Sequence, residues 1–356
     1  MTIKDLSDFE LTNFELDYSN MGFQATHLSR AISIIKEMKK QKATIFLTFT
    51  SNLVASGLRG VFTELCKRKF VDCIITAGGS IDHDIIKSAM NYELGEFVMD
   101  DAKLHKKGTN RLGNILVPNK CYVYLEKFIH QTFDEMYEKE KIVSPSDLIR
   151  KIGEKTKQDS FLYWCTKNEI PVFCPGITDS AIGLQTYFYK QKKKDFGIDV
   201  TKDMNKLASF ALNSEKTGGI ILGGGISKHH AIGVNLLKGG FNYAVYVTTS
   251  SPWDGSLSGA RTNEGISNSG HFRTATATNP LTGPAARPSP EIGAGIFRHH
   301  TFRWRLGFGR RIHRGHLSSR LRNLPWTRSG AGVHTDPAGW APRAGREPGT
   351  LRQRPG

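Results

Sequence analysis

Short apolar runs rich in β-branched residues alternate along this chain with longer stretches whose apolar positions recur every three or four residues. Residues 43–50, 71–77, 171–174, 219–222 and 243–248 carry the first pattern and predict buried strands. Residues 53–67, 82–91, 122–137, 202–213 and 228–237 carry the second and predict helices. Unbroken apolar strands alternating with helices predict an α/β fold, a parallel sheet covered on both faces. Ligands of such sheets bind beyond the carboxyl ends of the strands. The turns after four of these strands are Ser51-Asn52, Gly78-Gly79, the glycines 223–225 and Thr249-Ser250, so the polar and glycine-rich turns all fall on one rim.

The strand predicted at 219–222 runs into Gly223, Gly224 and Gly225 and restarts as Ile226, Ser227, Lys228, His229 and His230. Glycine lets main chain approach a ligand closely, and imidazole exchanges a proton near neutral pH, so this turn is the first candidate for a cofactor and a reaction. Each feature also has a structural alternative. Ser51 and Asn52 suit a phosphate at a helix start and equally an ordinary N-cap. Asp82 follows the small residues Thr76, Ala77, Gly78 and Gly79 by one turn, where an acid can accept ribose hydroxyls, yet no GxGxxG fingerprint accompanies it. Asp179 can close an Asx-turn. His229 and His230 can be satisfied core histidines, and Lys228 reads as a solvated charge or a contact facing the helix dipole.

Charge changes the picture only at one end. The formal net charge of the 356 residues is +16, but up to Ser267 there are 34 Lys and Arg against 30 Asp and Glu. From Asn268 onward the count is 15 against 3, every basic residue is arginine, and Lys238 is the last lysine of the chain. A nucleic-acid partner is therefore not expected for the main domain. The final stretch, rich in Arg, Gly, Pro and His, lacks the apolar periodicity needed to offset its ordering entropy. It admits three readings: a nucleic-acid-binding tail, a lineage-specific extension, or a non-native end from a frameshift or a fused reading frame. The abrupt change inside a motif favours the last. Five scattered cysteines without CxxC spacing argue against a zinc cluster or a disulfide framework and for buried thiols in a reducing cytoplasm. No apolar run approaches the ~20 residues needed to cross a bilayer. The expected organisation is an arm over 1–21, one domain over 22–267 and a tail over 268–356.

An ordered set of segments between about Gly22 and Ser267 resembles the deoxyhypusine synthase family. It comprises Thr50-Ser51-Asn52-Leu53, Ile75-Thr76-Ala77-Gly78-Gly79, Arg111-Leu112-Gly113-Asn114, Pro171-Val172-Phe173-Cys174-Pro175, Thr178-Asp179, the turn at 223–230, and Asp254-Gly255-Ser256-Leu257-Ser258-Gly259-Ala260-Arg261. The resemblance implies a Rossmann-like NAD-binding domain that assembles as a homotetramer. It implies NAD contacts at Ser51, Asn52, Thr76, Ala77, Gly78, Gly79, Asp82, Asp179, Gly224, Thr249 and Ser250. For the polyamine it implies His83, His229, Gly255, Ser256 and Glu264, with His229 taking a proton as hydride leaves for NAD. The implied reaction moves the aminobutyl group of spermidine through a lysine imine to a lysine of the hypusine-carrying translation initiation factor.

Three departures bear on that reaction. The family continues into Ser-Trp-Gly-Lys, whose lysine is the covalent catalyst, whereas this chain reads Ser267-Asn268-Ser269-Gly270 and offers no amine at Gly270. Leu184 and Leu257 stand where the well-known eukaryotic enzymes carry aspartates that hold spermidine amines, which removes charge-assisted hydrogen bonds to a polycation. His83 replaces one member of the family's acidic pair. The sequence therefore supports a deoxyhypusine synthase that is inactive as written. A catalytically dead NAD-binding scaffold and a homospermidine synthase-like enzyme remain the alternatives.

Overall fold

The computed structural model describes residues 21–262 and Arg273–Thr278, with Thr2 and Tyr18, all within the unit Met1–Ala286; the second unit, Arg287–Gly356, lies outside the described residues. Its central sheet has strands β1 (Thr44–Phe49), β2 (Cys73–Thr76), β3 (Val172–Phe173), β4 (Thr217–Leu222), β5 (Tyr243–Thr248) and β6 (Arg273–Thr278). All neighbours pair in parallel, in the spatial order 3-2-1-4-5-6. That is the doubly wound order of dinucleotide-binding folds, in which the chain reverses its direction of travel between β1 and β4.

Alternation along β1 explains the two cores. Ile45, Leu47 and Phe49 point into one apolar cluster and Phe46 into another, all four fully buried. The first cluster packs helix α1 (Gln24–Lys40) through Ala31, Ile34 and Met38, at helical spacing, and the long helix α5 (Asn119–Tyr137) through Cys121, Leu125 and Ile129. Phe49 also stacks on Phe62 at 4.1 Å between ring centroids. On the opposite face, α9 (Thr201–Asn213) and α10 (Gly225–Leu236) bring Leu207, Ala211, Ala231 and Ile232 onto Phe46. Phe46 meets Phe210 and Phe241 edge to face at 5.6 and 5.8 Å, and burial of such a ring contributes about 1.5–3 kcal/mol.

Between β1 and β2 the chain makes one helical turn α2 (Ser51–Leu53), a π turn (Val54–Leu58) and helix α3 (Arg59–Lys67). Gly57, at φ 114°, absorbs the kink. Helix α4 (Gly78–Lys87) follows β2, and α6 (Pro145–Lys155), α7 (Phe161–Lys167) and α8 (Ala181–Lys192) complete the layer. Beside it lies an antiparallel sheet of Glu93–Leu94, Thr109–Leu112 and Ile115–Pro118, where Thr2 bridges to Glu93.

All five predicted strands are present. The predicted helix at 82–91 starts earlier, because Gly78 and Gly79 form its first turn instead of a loop. β6 lies past the expected domain end at Ser267 and pairs with β5. All five cysteines are free and buried. Among the described residues no helix is long and apolar enough to cross a membrane.

Candidate functional site

Parallel register sets Phe49 beside Thr76 and Leu222, and Leu222 beside Val247. The turns that follow these residues therefore meet at one edge of the sheet. Ser51 and Asn52 open α2, with Asn52 exposed and its Oδ1 accepting from Thr50 Oγ1 at 2.5 Å. Gly79 sits against Ser51, since an added Cβ would lie 3.0 Å from the Ser51 Cβ. Gly223, at φ 89°, approaches Thr50 just as closely. Gly225 also has a positive φ, 65°, and a Cβ there would meet nothing within 4 Å, so backbone is bared to open space at the reversal point. Ala77 and Gly78 follow β2, and Thr249 and Ser250 follow β5, with Thr249 exposed.

Residues 256–260 fold over this rim. Ser258 packs flush on Gly224, where an added Cβ would lie 2.5 Å from the serine Cβ, and the Gly225 N–H donates to Ser258 Oγ at 2.7 Å. Gly255 and Ser256 are exposed at the corner that leads into this segment. Lys228 is fully buried beneath it, and its Nζ donates to the carbonyls of Ser258 at 3.0 Å and Ala260 at 2.8 Å. This corrects the expectation of a solvated or dipole-facing lysine. The helix turns Lys228 inward and its neighbour His229 outward.

Other expected contacts have internal partners. Thr76 is buried, and its hydroxyl donates to the Phe49 carbonyl at 2.8 Å and lies 2.7 Å from Ser80 Oγ. Both Asp82 oxygens accept N–H groups at the start of α8, from Ala181 at 2.8 Å and Ile182 at 3.1 Å. His83 Nδ1 lies 2.8 Å from the hydroxyl of fully buried Tyr92. The side chains of Thr76, Asp82 and His83 are thus buried and bonded within the fold. Asp179 is exposed in the loop after β3. His229 is exposed on α10 and lines a groove of about 320 Å³ with Pro175, Met204, Ile226 and His230. Leu184 is exposed and Leu257 half-buried. Glu264 and Gly270 lie outside the described residues.

Burial pushes Asp82 up to about 7, with the two α8 N–H bonds pulling the other way. Burial, aided by the charge of Lys87, pushes His83 down to about 4. Between about pH 4 and pH 7 the folded chain therefore holds a proton on Asp82 that the unfolded chain releases, so this carboxyl's contribution to stability falls as pH rises. His83 works the opposite way, losing stability as pH falls from its ordinary range toward 4. Asp82→Asn should accordingly be most costly near pH 4 and progressively less so toward pH 7, by roughly 1–4 kcal/mol over the window. Urea midpoints of both proteins across this range check it, and a cost that grows with pH would contradict it.

Sequence reasoning passed over a buried ion pair beneath the site. Arg59 Nε lies 2.6 Å from Asp84 Oδ1, with Ser160 Oγ donating to Asp84 Oδ2 at 2.5 Å and Arg59 Nη2 donating to Ser88 Oγ at 2.7 Å. No local pattern marks an arginine or a lysine as interior, so neither this pair nor Lys228 carried a signal.

A family model described as deoxyhypusine synthase matches residues 15–279. The chain belongs to the deoxyhypusine synthase family. It is 42% identical over 268 residues to a probable deoxyhypusine synthase of Pyrococcus furiosus, covering 70% of this chain and 80% of that one. To a probable deoxyhypusine synthase of Methanocaldococcus jannaschii it is 44% identical over 269 residues, covering 70% and 82%. A crystal structure of a putative deoxyhypusine synthase from Entamoeba histolytica shares the fold, with a TM-score of 0.54 at 24% identity over 74% of this chain and 85% of that one. The deoxyhypusine synthase match ends beyond β6, in keeping with that strand's place in the sheet.

Proposed function

We propose that this chain is an NAD-binding, deoxyhypusine synthase-type aminobutyl transferase whose covalent step is disabled as written. The observation that carries the cofactor reading is the parallel order 3-2-1-4-5-6 with bare glycine turns at the reversal between β1 and β4. The residues there fit a dinucleotide. The turn of Ser51 and Asn52 after β1 would take the pyrophosphate. Gly78, Gly79 and Gly224 let Ser180, Ser51 and Ser258 pack against bare backbone there, and Thr249, Ser250 and Asp179 would offer polar groups to the cofactor. Ala77 lines the same edge. Thr76, Asp82 and His83 fix the positions of these groups.

Bound NAD would supply a hydride acceptor. His229, exposed on α10 in the groove with Pro175, Met204 and Ile226, is the imidazole that would take a proton from a polyamine such as spermidine, with Gly255 and Ser256 as further candidates for its contacts. The fate of the aminobutyl group is what fails. Gly270 carries no amine, the amine of Lys228 is buried on two carbonyls, and no lysine follows Lys238. The same absence favours a second reading, an NAD-binding scaffold that assembles with an active chain. Leu184, Tyr187 and Phe188 expose apolar surface on α8, which supports an oligomer such as the family's tetramer, and five buried free thiols support a reducing, cytoplasmic setting.

NAD at a hundred times its dissociation constant should stabilise the folded chain by roughly 2.7 kcal/mol, read as an upward thermal shift. A folded sample that shows no shift at millimolar NAD would overturn the cofactor reading.

A further inference from the structure

We infer that Lys228 is a positioning residue: its ammonium clamps residues 256–260 onto the first turn of α10, and so fixes the Gly255-Ser256 corner relative to the Gly223-Gly225 turn. This rests on the proposed NAD site and adds a device that holds its two halves together. The ammonium is fully buried, donates to the Ser258 and Ala260 carbonyls, and lies 4.4 Å above the Tyr246 ring. A buried charge is retained only where such partners compensate its desolvation, and removing one side of the arrangement leaves the other unsatisfied.

Four further contacts make the clamp directional. Ser227, the preceding residue, is buried with its hydroxyl 3.4 Å from the Phe49 carbonyl, which ties the same turn of α10 to the end of β1. From the other side the Gly225 N–H donates to Ser258 Oγ. Within the segment, the N–H groups of Gly259 and Ala260 donate to Ser256 and Leu257 carbonyls, a 3-10 turn whose own carbonyls at 258 and 260 are then taken by Lys228. Gly259 leaves no room for adjustment, because a Cβ there would lie 1.9 Å from the Ser251 carbonyl oxygen. Ser227, Gly225 and Lys228 thus tie the first turn of α10 to the end of β1 and to the segment after β5, with the cation holding the last of these. The strands place these three pieces at one edge, but only side chains fix their spacing.

The test uses the full chain and two readouts, amide hydrogen exchange and NAD affinity by calorimetry. Lys228→Met keeps the aliphatic stem and removes the donors. It should speed exchange of the amides of Gly225, Gly259 and Ala260 at least tenfold, leave Leu47 and Ile220 in the central strands unchanged, and weaken NAD binding at least tenfold. Lys228→Arg, which keeps cation and donors, should recover part of both effects. Should the methionine variant fail to fold, Lys228→Gln, with a shorter reach and a neutral donor, should show the same localised loosening. Unchanged exchange at 256–260 would overturn the clamp, as would acceleration spread evenly through the central strands. Localised loosening with undiminished NAD affinity would remove its positioning role. If the parent chain itself fails to bind NAD, the cofactor reading falls, while the exchange data still decide whether Lys228 holds the segment.

Discussion

Transfer of the aminobutyl group should appear when Asn268→Trp, Ser269→Gly and Gly270→Lys are made together and a family-type end follows them, where the unaltered chain gives none. The expectation rests on chemistry. Hydride removal requires a cofactor, an amine and a base, and the described rim supplies candidates for cofactor and base before Thr262. Holding the group as an imine needs a primary amine, and glycine has none. Loss of a covalent nucleophile costs on the order of 10⁶ in turnover where it has been measured in a protease. Labelled spermidine with the initiation factor as acceptor reports the gain. If the repaired chain folds and binds NAD yet transfers nothing, Leu184 and Leu257 become the evidence for a different amine, since neither can hold an ammonium as a carboxylate would.

Arg59→Met should destabilise the fold by about 3–5 kcal/mol, the cost of leaving one partner of a buried pair uncompensated. Burial raises Asp84 despite the adjacent guanidinium, which shows that desolvation outweighs the attraction within the pair. The pair is therefore expensive to break but a modest net stabiliser, and replacing both residues by apolar ones of similar size should recover most of the loss. Urea unfolding measures both. A loss under about 1 kcal/mol in the single variant would mean that Ser160 and the Leu162 N–H, which also hold Asp84, suffice without Arg59.

The sheet was readable because β1, β2, β4 and β5 are covered on both faces, which writes burial into the sequence as unbroken apolar runs. Helix α1 was missed although Ala31, Ile34 and Met38 follow helical spacing, since polar residues dominate the intervening positions. The strands Glu93–Leu94 and Ile142–Val143 are two residues each, too short to show any period. Rim positions such as Ser51, Gly224 and Thr249 were legible because a turn after a buried strand is a geometric fact of parallel sheets. Asp82 and His83 were not legible as interior supports. Helix α4 is enclosed on every side from Ile81 to Lys87, and a polar residue bound by the start of another helix looks in sequence like one facing a ligand. Lys228 was hidden for the same reason, its partners being carbonyls thirty residues away.

Reductive trapping addresses the central claim most directly. The full chain is incubated with NAD and spermidine labelled in its aminobutyl portion, treated with borohydride, and digested for peptide mapping. Retained cofactor binding with no label fixed to any lysine is the result expected of a rim intact up to Thr262 and a missing amine at Gly270. Label fixed to a lysine of the unaltered chain would contradict it, and the labelled peptide would name the residue that carries the step.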